Sequence, residues 1–132
     1  NDDGNMQDAA SLAALVALAN TKMPVYDAEK DKVNYEERKG KLPLVKMPVE
    51  CSLAKIGKHI IVDPGLDEER WMDSKLTVAS INDRIHALQK GGKGTLSLED
   101  IEKMLKIAIE KNEKTLKNVE KKWNTLNMKK LE

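Results

Sequence analysis

Hydrophobic and polar positions divide the chain into an apolar opening, a charged interval, a series of short apolar runs and a long amphipathic close. The opening run AASLAALVALA, Ala9 to Ala19, is apolar at every position but Ser11, with Asp8 placed to cap it as a helix. A helix apolar all round has to be covered all round, so this one asks for a partner half that the chain itself does not supply. The interval from Asn20 to Gly40 is polar with little period and reads as an exposed connection or a loose hairpin. From Leu42, LPLVKMPVECSLAKIG predicts a strand that Pro43 and Pro48 push towards an edge or a bulge. Gly57-Lys58 then supplies a turn, and HIIVDP returns as a second strand.

Pro64-Gly65 ends that strand, and Leu66 to Met72 forms a short acidic helix or turn. KLTVASI and RIHALQK, Lys75 to Ile81 and Arg84 to Lys90, are two further strands. The Asn82-Asp83 pair between them has the residue types a two-residue hairpin turn needs. After the flexible break GGKGT, the final helix is the clearest element. Ser97 is its N-cap with Asp100 three residues on, an approximate capping box, and Leu96 and Ile101 form a staple. Apolar residues recur at Ile101, Met104, Leu105, Ala108, Ile109, Leu116, Val119, Trp123 and Leu126, which is helical spacing. The predicted order is helix, four strands, long helix, an α+β arrangement with a four-stranded mixed or antiparallel sheet.

Composition narrows what such a domain does. With 132 residues, 40% hydrophobic and 34% charged, the chain is globular and the size of one domain. A net charge of +1 provides no global field for nucleic acid, so RNA binding would need local patches. Two Trp, two Tyr and no Phe leave few stacking platforms. The single Cys51 excludes an internal disulfide framework and suits a reducing compartment, and no run approaches transmembrane length.

The candidate chemistry is concentrated in IIVDPGLDEERWMDSKLTVA, where Asp63, Asp67, Glu68, Glu69 and Asp73 lie within eleven residues. Asp63 at a strand end and Glu69 six residues later could hold Mg²⁺ beside a substrate phosphate. The same residues also make an ordinary acidic helix start with a solvated face. KGGKGT lacks the spacing of a P-loop; Lys90 and Lys93 in it could still touch a phosphate, or belong to a plain strand-to-helix connection. His59 and His86 lie in strands away from any ligand spacing, and Cys51 reads as a small buried hydrophobe. The segment Lys111–Glu132, with seven lysines against three glutamates, reads as a projecting, solvated helix end, or as the basis of a free-standing RNA- or protein-binding module.

Three stretches in order, DDGNMQDAASLAALVAL, VECSLAKIGKHIIVDPGLDEERWMDSKLTVA and ALQKGGKGTLSLEDIEKMLKIAIEK, resemble the second half of RNase PH-like proteins, and among them the non-catalytic ring subunit of the archaeal exosome. The resemblance implies a two-half α+β fold, with residues 1–111 as its C-terminal half and 112–132 as a basic helical tail. It also implies a cytoplasmic hexameric ring, a trimer of heterodimers with a catalytic paralogue, RNA-binding cap subunits on one face, and phosphorolysis from the RNA 3′ end. Catalytic paralogues carry a Ser/Thr-Arg phosphate clamp where this chain has Met6 and Gln7, which cannot replace it. They have two aspartates where this chain has Asp63 and Glu69, and a further Asp where it has Lys75, a cation that opposes metal binding. The resemblance therefore implies a degenerate acidic pair, with no catalytic residue, metal or cofactor, and RNA contacts lying mainly in the other half; Lys90 and Lys93 of the glycine break are the weak candidates for RNA contact in this one. The alternative is an active Mg²⁺-dependent phosphorolytic enzyme using Asp63 and Glu69.

Overall fold

The computed structural model describes the backbone of residues 3–128 and the side chains up to residue 122. Its elements are α1 (Met6–Asn20), β1 (Lys22–Asp27), β2 (Lys32–Lys41), β3 (Val49–Ile56), β4 (His59–Val62), α2 (Leu66–Trp71), β5 (Ser74–Ile81), β6 (Arg84–Gly91) and α3 (Leu98–Met128). The α+β class and the closing helix agree with expectation. The strands form two sheets, an antiparallel β1–β2 pair and an antiparallel four-stranded sheet ordered β4-β3-β5-β6.

Of the two readings of the polar interval after α1, the hairpin is the one present: its pairing is irregular between Lys22 and Val25, and it is held across its tip where the Tyr26 hydroxyl donates to Asp31 at 2.6 Å and Asp31 turns the chain at φ 49°. It lacks an apolar period because all ten residues of β2 are exposed. Two local expectations are corrected. β3 is an inner strand, not an edge: Pro43 and Pro48 both precede its first residue, Val49, so neither removes a donor from its ladder. Asp8 lies inside the first turn of α1, which begins after Asn5, and its carboxylate is engaged elsewhere, as described below.

The core follows from strand alternation. Cys51 and Leu53 of β3 and Leu76 and Val78 of β5 point to one face of the sheet, where Met104 and Ala108 of α3 meet them. Farther along α3, buried Asn112 donates to the Val78 carbonyl and to Ser80 Oγ, both at 2.9 Å. These bonds fix the helix in rotation and in height against β5. No residue of α1 is fully buried. One flank of α1, at Leu15, Val16 and Ala19, borders an apolar cavity of about 280 Å³ closed by Leu116 and Val119 of α3. Trp123 and Leu126, expected on the apolar stripe of α3, have side chains outside the described residues. No helix among those residues is long and apolar enough to cross a membrane.

The start of α3 has the expected box: Asp100 N–H donates to Ser97 Oγ and Ser97 N–H to Asp100 Oδ2, each at 3.1 Å. Asp100 also accepts from the Lys55 ammonium, and this bond, with those from Ser97, holds its carboxyl well below the usual range, at about 2. A carboxylate depressed in the folded state stabilises above its unfolded pKa of about 3.9, and that stabilisation is lost as pH falls through the folded value. Urea unfolding between about pH 4 and 2 will therefore show a decline in stability that Asp100→Asn flattens; equal slopes in the two proteins would contradict the pairing.

Candidate functional site

The acidic stretch takes its shape from the place where β4 leaves the sheet. Asp63 N–H donates to the Ser52 carbonyl at 3.1 Å, and Asp63 then turns the chain in the left-handed region at φ 58°. In an antiparallel ladder the N–H and C=O of one residue point the same way, so the Ser52 N–H faces the strand that has just departed. Asp8 supplies the missing acceptor. Its carboxylate takes the Ser52 N–H and the Ser52 hydroxyl, both at 2.7 Å, and the Ser52 hydroxyl is in turn 2.8 Å from that of Thr77.

Asn5 joins this network to Asp63. Its amide nitrogen donates to Asp8 at 2.9 Å and to Asp63 at 2.6 Å, from a backbone at φ 47°, ψ 39°. Asn is among the few non-glycine residues that adopt this conformation readily. Gly4, at φ 98°, packs so closely on the turn that an added Cβ would fall 2.6 Å from the Gly65 carbonyl carbon. The Asp3 carbonyl accepts the Leu66 N–H at 2.9 Å. The opening loop is thus laced to the acidic turn by backbone as well as side chains.

Glu69 is held separately: the Lys75 ammonium lies 3.0 Å from it, with both side chains about four-fifths buried. Glu68 reaches back to the Gly65 N–H at 2.7 Å, and Asp67 pairs with Arg70 at the surface. The acidic helix start and the candidate pair are therefore both present in the same residues. Asp63 accepts an amide proton and Glu69 an ammonium, so each carboxylate already has a donor where Mg²⁺ would sit. The donor set does not fit a metal ion, since Lys75 competes for the very oxygens a cation would need.

The remaining candidates are dispersed. Met6 is exposed, and Gln7 donates to Gln89 at 3.0 Å. Lys90 and Lys93 are exposed beside the glycine break, Lys90 donating to the Gly92 carbonyl at 2.8 Å. His59 and His86 are exposed. Cys51 is buried, and burial together with the nearby Asp8 and Asp63 carboxylates pushes its thiol up to about 12, so it is inert as a nucleophile. A cavity of about 430 Å³ opens beside Asp8, Glu50, Asp63 and Lys111. Burial, with Asp8 close by, raises the Glu50 carboxyl above its ordinary range. Sequence reading missed the roles of Asn5 and Asp8. The signal available was an Asn directly after a glycine and three residues before an Asp, the pattern of a side-chain-closed turn.

Residues 46–111 match the 3′ exoribonuclease family, domain 2. The chain belongs to that family. It is 48% identical over 104 residues to the exosome complex component Rrp42 of Saccharolobus islandicus, covering 75% of this chain and 37% of that protein. With the exosome complex component Rrp42 of Thermococcus kodakarensis it shares 39% over 130 residues, covering 88% and 45% respectively. Two solved structures are similar to it: the Archaeoglobus fulgidus exosome with RNA bound to the active site, with a TM-score of 0.73 and 32% identity over 89% of this chain and 44% of that one, and an archaeal exosome core, with a TM-score of 0.72 and 34% identity over 85% and 43%. The chain thus spans less than half the length of these relatives.

Asp8 carries charge-assisted bonds to an otherwise unpaired strand N–H, so Asp8→Asn should lower stability by about 1.5–3 kcal/mol in urea titration. The Glu69–Lys75 pair is about four-fifths buried, so Glu69→Gln, which leaves the ammonium with a neutral partner, should also cost about 1–3 kcal/mol. No loss on Asp8→Asn would show that the sheet edge does not depend on Asp8.

Proposed function

We propose that this chain is the C-terminal half of a non-catalytic ring subunit of an archaeal exosome, a complex that degrades RNA from its 3′ end by phosphorolysis. The observation that carries the reading is the Lys75–Glu69 ion pair: a cation stands where catalytic RNase PH-like proteins, by the resemblance described above, have a metal-binding aspartate. Asp63, the other member of the pair, is engaged by Asn5 in shaping the turn. The Met6 and Gln7 side chains supply no anion clamp. The curated relatives named as exosome components support the assignment to the complex.

In this reading residues 1–111 form the second half of the RNase PH-like domain and 112–132 a basic helical tail. A first half, from a segment outside this sequence, packs on the exposed side of α1. The subunit pairs with a catalytic RNase PH-like partner in a cytoplasmic hexameric ring capped by RNA-binding subunits, needs no cofactor of its own, and holds its partner's active site in place. Lys90 and Lys93 contribute to RNA contact.

The test follows 5′-labelled RNA in phosphate and Mg²⁺. The chain with its first half should leave the RNA intact, the catalytic paralogue should shorten it, and mixing the two should raise the rate. Asp63→Asn and Glu69→Gln should leave the rate of the mixture within about twofold, since neither touches reacting atoms in this reading. Release of nucleoside diphosphates by this subunit alone, abolished by Asp63→Asn, would establish the Mg²⁺-dependent enzyme instead.

A further inference from the structure

We draw no further inference here: the strongest candidate, the cavity of about 430 Å³ beside Asp8, Glu50, Asp63 and Lys111, rests on an acidic cluster whose Asp8 and Asp63 carboxylates are already engaged within the fold, and nothing in the structure shows what fills it.

Discussion

The fold around the acidic turn depends on one buried demand: the Ser52 N–H, turned towards a strand that ends one residue too soon. An unpaired backbone donor at a sheet edge costs as much as a lost hydrogen bond. Asp8 meets the demand from another element, and in doing so fastens the first turn of α1 to the middle of β3. The rest of the opening segment is arranged to keep Asp8 there. Asn5 bridges it to Asp63, Gly4 allows the loop to lie against Gly65, and the Asp3 carbonyl takes the first N–H of α2. Two carboxylates sharing one amide donor is also why Asp63 is bound into the scaffold and not free to serve a ligand.

The long helix was legible because its signals agree across levels. Its apolar spacing, its Ser97–Asp100 box and the glycine break before it all mark the same element, and the structure uses each of them. The turn at Asn82 was legible for a similar reason, although only Asn82 takes the positive φ. The β1–β2 hairpin was legible only as one of two readings, because periodicity reports burial and this hairpin has almost none to report. Likewise, the prolines before Val49 suggested an edge strand, whereas strand position is set by what pairs on each side. The Asn5–Asp8–Ser52 network was hidden because it joins residues 44 and 58 positions apart, and local pattern has no access to such pairs.

The candidate site was legible in its membership and illegible in its use. Asp63 and Glu69 stand where the spacing placed them, at a strand end and on the following short helix. What spacing could not show is that each is matched to a different donor, one a neutral amide and one an ammonium. A Mg²⁺ site needs its carboxylates left without donors until the ion arrives. Here Lys75, from the strand that follows, and Asn5, from the loop that precedes, reach the acids from both chain directions.

Keeping the carboxylates while supplying them with donors has a physical logic. Removing Glu69 would leave the four-fifths-buried Lys75 ammonium without its partner, and removing Asp63 would leave one of the two Asn5 amide hydrogens without its acceptor and the left-handed turn without a residue suited to it. With the cation and the amide in place, the acids are costly to lose for reasons unrelated to chemistry. An acidic pair at catalytic spacing is therefore compatible with a wholly structural role, and its partners decide between the two.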